Sequence, residues 1–280
     1  MKWQLFRHKQ RQINKALNIL LFTIVITIIC VSCNNNQDVL VTEVGVSTPT
    51  PQRGKTSKAD EFYIQGQTQH LKGNSQAAIA AYSKSISLNP EYVAAFKSRG
   101  LVYFDIGNKE GAIADYNKAL SLNANDAETY NNRGNAYASM GNYRAAIADY
   151  NQAINLDPKY AEVYNNRGNA RANQGDKNGA LEDYTQAIRI DQGYSVAYNN
   201  RGNAYSSRGE QQKAISDYNE AIRINPNFAA AFNNRGNAYA ASGDKRGALK
   251  DLQRAAALFD KEGNKELYQQ AMKNIEELGK

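Results

Sequence analysis

Between residues 59 and 262 small and apolar residues recur at helical spacing, and the pattern restarts every 34 residues. Gly66, Gly100, Gly134, Gly168, Gly202 and Gly236 mark the period. Gly73, Gly107, Gly141, Gly175, Gly209 and Gly243 follow seven residues after them, and Ala78, Ala112, Ala146, Ala180, Ala214 and Ala248 twelve after. Six units result: 59–92, 93–126, 127–160, 161–194, 195–228 and 229–262. Each predicts a helix, a turn at the second glycine, and a second helix carrying Tyr82, Tyr116, Tyr150, Tyr184, Tyr218 or Leu252. Pro90, Pro158 and Pro226 close three of the units. The first glycine is expected to let one helix approach the alanine of the other with no side chain between them, the tyrosines filling the rest of the core. One such unit cannot bury its apolar face alone, whereas six stacked units can. Within residues 263–280, Leu267, Tyr268, Ala271, Met272, Ile275 and Leu278 make an amphipathic helix over Lys265 to Leu278, placed to cap the end of the stack.

The first helix of each unit carries Phe62, Phe96, Tyr130, Tyr164, Tyr198 or Phe232, and a later tyrosine column holds Tyr103, Tyr137, Tyr205 and Tyr239. This pattern of an aromatic, Gly, Tyr, then Ala, aromatic and Pro over 34 residues resembles the tetratricopeptide repeat. The resemblance covers about three quarters of the chain. It implies an all-α fold, a right-handed solenoid of six helix-turn-helix repeats with a C-terminal capping helix. Gln69 and Arg171 depart from the later tyrosine column, and Ala124 and Gln192 from the proline.

The family's leucine column is replaced by Arg99, Arg133, Arg167, Arg201 and Arg235, with Gln65 in the first unit. Sixteen residues later stand Asp115, Asp149, Asp183, Asp217 and Asp251, with Ala81 in the first unit, so the unit lacking Arg also lacks Asp. The pairing predicts an Arg–Asp ladder between the two helices, within a unit or to its neighbour, that is architecture and not a ligand site.

Units three to six carry a second column, of asparagine: Asn131, Asn132, Asn135, Asn165, Asn166, Asn169, Asn199, Asn200, Asn203, Asn233, Asn234 and Asn237. Asparagine loses roughly half a kcal/mol to alanine inside an exposed helix, so twelve of them need an offsetting benefit or an accident of duplication. The resemblance implies that these positions line a concave groove. There each amide, donor and acceptor together, can pair with a peptide bond and hold an extended segment with little regard to its side chains. The arrangement is similar to the asparagine ladder of the O-linked N-acetylglucosamine transferases. The competing reading is that the amides bond to neighbouring units and stiffen the solenoid. The family's clamp for a C-terminal carboxylate fits badly, because Leu101, Glu162 and Asn166 occupy places where it needs Asn or cations. In the first two units Tyr63, His70, Lys97, Leu101 and Phe104 stand at the groove positions. Leu101 and Phe104 form an apolar partner-binding patch or pack under the preceding segment. His70 lacks a partner set for metal or catalysis.

Before the repeats the pattern changes. Residues 1–15 are basic, Ile19 to Val31 is apolar but for Thr23 and Thr27, and Cys30-Val31-Ser32-Cys33 follows. That order is a secretory signal over 1–32, and its end resembles the lipobox of bacterial lipoproteins, which implies lipidation of Cys33. Cys30 departs from the usual aliphatic residue. An uncleaved anchor helix is the main rival, with a Cys30–Cys33 redox pair behind it. Residues 33–58, rich in Asn, Thr, Pro and Gly, read as a flexible tether.

Charge removes one class of partner. The formal net charge is +7, but Lys2, Arg7, Lys9, Arg11 and Lys15 face no acid within the first 32 residues, and subtracting them leaves 29 basic against 27 acidic residues, or +2. A body so close to neutral lacks a nucleic-acid footprint. With two cysteines, both at or before residue 33, and two histidines, His8 and His70, neither a metal site, nor a cofactor, nor catalysis is expected. The sequence therefore points to a non-enzymatic adaptor at a bacterial cell envelope, membrane-anchored with its body on the extracytoplasmic side, binding extended protein or peptide segments. The alternative is an envelope lipoprotein that binds glycans or another polymer.

Overall fold

The computed structural model describes residues 57–279; the signal, Cys33 and nearly all of the tether lie outside them. The described residues form thirteen α-helices and no strand. The first two units pair α1 (Lys58–Leu71) with α2 (Ser75–Leu88), and α3 (Val93–Asp105) with α4 (Lys109–Leu122). The third and fourth pair α5 (Ala127–Ser139) with α6 (Tyr143–Leu156), and α7 (Ala161–Asn173) with α8 (Lys177–Ile190). The fifth and sixth pair α9 (Ser195–Ser206) with α10 (Gln211–Ile224), and α11 (Ala229–Ala241) with α12 (Lys245–Lys261). The last helix is α13 (Lys265–Leu278). Among the described residues no helix is long and apolar enough to cross a membrane.

The turn glycines adopt the left-handed backbone that other residues rarely accept: φ is 75° at Gly141 and 88° at Gly175. The residue after the glycine then caps the second helix. Asn108, Asn142, Asp176 and Asp244 each accept from the backbone amide three residues on, satisfying a helix-start donor for about 1 kcal/mol apiece.

The helices pack in a way that the expected glycine–alanine contact does not describe. The glycine of the first helix faces the aromatic ring of the second: a Cβ on Gly134 would stand 2.6 Å from Tyr150 Cε1, and one on Gly168 2.7 Å from Tyr184 Cε1. Glycine is thus required because a flat ring lies against the helix backbone. The alanine column is fully buried beside it, at Ala146 and Ala180 for example.

First helices of successive units touch one another, whereas second helices touch first helices and, at the end of the stack, the capping helix, but not one another. The stack therefore curves with α1, α3, α5, α7, α9 and α11 on its inner side. At its end α13 lays Leu267, Tyr268 and Ala271 against Ala255, Ala256, Leu258 and Phe259, covering the apolar face that the sixth unit would otherwise expose.

The arginine column links units as well as helices. Arg133 donates from Nε and Nη2 to both oxygens of Asp149 (2.8 and 2.7 Å) and from Nη1 to Asn117 of the preceding unit (2.6 Å). Arg99, Arg201 and Arg235 repeat the bidentate pair with Asp115, Asp217 and Asp251. Each of the five guanidinium groups also lies 5.4–5.8 Å from the centre of the aromatic ring three residues before it. The carboxylate is thus found within the unit, and the spare nitrogen reaches the neighbour. Arg171, a departure from the tyrosine column, joins the same system by donating to Asp183 at 3.0 Å.

Candidate groove site

The inner face is built from side chains that the first helices do not bury against their own second helices. Its geometry follows an offset of 35 residues, one unit plus one residue, which brings consecutive first helices side by side. Asn166 Nδ2 donates to Asn131 Oδ1, Asn200 to Asn165 and Asn234 to Asn199, each at 3.0 Å. A second link ties the third asparagine of each set to the helix behind it: the Tyr150, Tyr184 and Tyr218 hydroxyls donate to Asn135, Asn169 and Asn203 at 2.7–2.8 Å. Asn237 at the end of the column accepts from Asn274 of the cap at 3.1 Å.

Burial follows these bonds. Asn131, Asn135, Asn165, Asn166, Asn169, Asn199 and Asn200 are buried, Asn132, Asn203, Asn233 and Asn234 half-buried, and Asn237 exposed. The ladder runs from the third unit to the sixth. Counting the same offset, the residue 35 before Asn132 is Lys97, which has no side-chain acceptor, and the residue 35 after Asn233 is Tyr268 of the cap; Asn233 Oδ1 has no donor. Replacing Asn200 with alanine leaves the buried acceptors of Asn165 and Asn169 without that donor. It is expected to cost about 1–3 kcal/mol in chemical unfolding, against less than about 0.5 for Asn132→Ala. Equal midpoints for the two variants would remove the ladder from the stability of the stack.

The first units hold what sequence reasoning missed. His70 Nε2 and Asp105 Oδ2 lie 2.9 Å apart, a single carboxylate contact on the helix of the next unit and again 35 residues away. Lys97 Nζ sits between Asp126 Oδ2 at 2.8 Å and Glu128 Oε2 at 2.6 Å. The signal was present in the sequence, because Asp126 interrupts the column Tyr92, Tyr160, Tyr194 and Phe228. Leu101 is buried and Phe104 half-buried beside these charges.

Carboxylates dominate the field here. Burial pushes the Tyr116 phenol up, and Asp105 and Glu128 push it further. Burial does the same to Tyr160, helped by Glu162 and Glu128 and opposed by a hydrogen bond to Asn131. Among the described residues no group of His, Cys, Asp and Glu has the arrangement of a metal site.

The family pattern described as TPR repeat matches residues 100–141, 134–175 and 202–243. Those described as tetratricopeptide repeat match 161–194, 183–216, 55–92 and 228–259. No curated protein matches the chain significantly. Among solved structures, MamA is 31% identical, covering 57% of this chain and 93% of its own, with a TM-score of 0.53. PilW, described as a widely conserved type IV pilus biogenesis factor, is 17% identical over 78% of this chain and 99% of its own, with a TM-score of 0.68. YrrB, described as a TPR protein with an unusual peptide-binding site, is 24% identical over 69% of this chain and 98% of its own, with a TM-score of 0.51. The last two are likenesses of fold. Six helix pairs in 34-residue register, joined first helix to first helix and matched by repeat patterns over most of their length, place the chain in the tetratricopeptide-repeat family, whose members generally mediate protein–protein interactions.

Proposed function

We propose that this protein is a membrane-tethered scaffold that receives extended segments of other proteins along its inner face, in a bacterial cell envelope with the repeat body on the extracytoplasmic side. One observation carries the binding part: six first helices form a continuous inner face on which polar and apolar side chains keep some exposure, Lys97, Phe104 and Glu128 in part and Asn237 fully. The asparagine bonds give that face a fixed shape, so a segment laid along it meets a surface ordered in advance, which lowers the entropic cost of binding. Support for the tether comes from the basic and apolar order of residues 1–32 and from Cys33 at the position where lipoproteins are acylated.

The test is intact mass of the membrane-extracted chain, followed by proximity labelling in its native host. A mass that begins at lipid-modified Cys33, with neighbours recovered by the wild type and lost when Phe104→Ala and Asn237→Ala are combined, is the expected result. An unprocessed N-terminus replaces the lipid with an anchor helix. Neighbours that survive the double change remove the inner face from binding.

A further inference from the structure

The sixth unit differs from the others on its outer side. Its second helix, α12, has 17 residues where α2, α4, α6, α8 and α10 have 14 each. Ala248, Leu252, Ala255 and Phe259 of α12 are buried, and on the opposite side of the helix stand Arg246, Lys250, Arg254, Ala257 and Lys261, all exposed. Arg246, Lys250 and Arg254 are spaced four residues apart, so each neighbouring pair repels and costs the helix stability. Duplication does not account for them, because at these three positions no other second helix carries more than one cation. The carboxylates of the unit are engaged elsewhere: Asp251 holds Arg235, Asp244 caps α12 through the Gly247 amide, and Asp260 and Glu262 stand at the C-terminal end of the helix. Among the described residues Arg246, Lys250 and Lys261 form no ion pair. Arg254 donates to Asn227 at 3.3 Å and lies 5.9 Å from the centre of the Phe232 ring.

We propose that this row of cations rests on the anionic phospholipid surface of the membrane that holds the N-terminus. The inference rests on the tethered reading above and adds a second point of attachment, at the far end of the stack. A protein partner calls for an apolar centre within the interface, and the row offers only Ala257 between its charges. A charged bilayer surface asks only for cations that it can reach together. Residues 34–56, between Cys33 and the cap of α1 at Ser57, reach up to about 80 Å when extended. Five steps between neighbouring first helices, of about 10 Å each, separate α1 from α11, so the sixth unit can meet the same bilayer. The tether keeps the row at high effective concentration, and contacts too weak to hold a free protein then suffice. In this arrangement the outer side of the stack faces the lipid, and the inner face, with Phe104 and Asn237, is turned away from it and open to partner segments.

The experiment reconstitutes the full chain into phosphatidylcholine vesicles with and without about 30% phosphatidylglycerol, their acyl chains brominated to quench tryptophan. Trp3, the chain's one tryptophan, is changed to Phe, and Ala257→Trp sets the probe within the row. The expected result is blue-shifted emission and several-fold stronger quenching on the anionic vesicles than on the neutral ones, lost in about 0.5 M salt. Combining Arg246→Gln, Lys250→Gln and Arg254→Gln should abolish the difference with unchanged helical circular dichroism, since the change also relieves the repulsion along α12. Lys84→Gln with Lys118→Gln, which removes exposed cations from the second helices of the first two units, should leave it intact. Equal quenching on the two lipids overturns the inference and leaves the row to an acidic segment of a protein. Quenching that survives the triple change, or that falls as far with Lys84→Gln and Lys118→Gln, overturns it as well. Flotation separates the row from the tether: a chain that leaves neutral vesicles but stays with anionic ones through these cations overturns the tether alone, and one that leaves both overturns tether and row together.

Discussion

Asp183→Ala is expected to lower the stability of the fourth unit by about 3 kcal/mol, because it strands two guanidinium groups that the same carboxylate holds. Asp183 is 2% exposed and accepts from Arg167 Nε and Nη2 at 3.0 and 2.6 Å and from Arg171 Nη1 at 3.0 Å. Asp149 accepts from Arg133 alone among the arginines, through two bonds, so Asp149→Ala should cost less. Urea unfolding followed by circular dichroism compares the two. Because repeats couple chiefly to their neighbours, hydrogen exchange should show protection lost first around α7 and α8. A midpoint for Asp183→Ala no lower than for Asp149→Ala would mean that Arg171 adds nothing and that solvent readily takes over the ion pairs.

Gly134→Ala is the second large effect, expected at about 3 kcal/mol through overpacking of the third unit. The added methyl would lie 2.6 Å from Cε1 and 2.9 Å from Cδ1 of Tyr150, a ring that is fully buried and fixed at its far end by the bond to Asn135. A planar ring cannot bend away as an aliphatic chain can, so α5 and α6 must separate. In the sixth unit leucine takes the ring's place, with Leu252 packed against Gly236. Combining Gly134→Ala with Tyr150→Leu should therefore recover part of the loss, a coupling that a double-mutant cycle in urea measures. Strict additivity of the two substitutions, or a single substitution costing less than about 0.5 kcal/mol, would show that the contact is not tight in solution.

The Arg–Asp ladder was legible because both of its members recur at one spacing, and two columns that vanish together in the first unit mark each other as partners. The asparagines were not legible in the same way. An amide that donates and accepts serves a ligand's peptide bond and a neighbour's side chain equally well, and no sequence pattern distinguishes the two. The three inter-unit bonds at an offset of 35 residues show that the neighbour supplies partners for much of the column. For Lys97 the sequence carried one sign, Asp126 in an otherwise aromatic column, and for His70 none. Their partners Asp105, Asp126 and Glu128 lie about one unit away in sequence, and only the stacking of helices brings the groups within 3 Å.

The sequence by itself determined the period, the helical class, the number of units and the capping helix over Lys265–Leu278, since these follow from local spacing, turn glycines and amphipathic pattern. Tertiary structure alone decided what each column touches. It put the tyrosine ring against the glycine, sent the buried amides to adjacent helices, and gave Glu128 a lysine where Glu162 has an asparagine. Periodicity fixes which side chains share a face, whereas the partner across that face depends on the rise and curvature from one unit to the next. A one-residue difference in that register, 35 against 34, decides which asparagines meet between units.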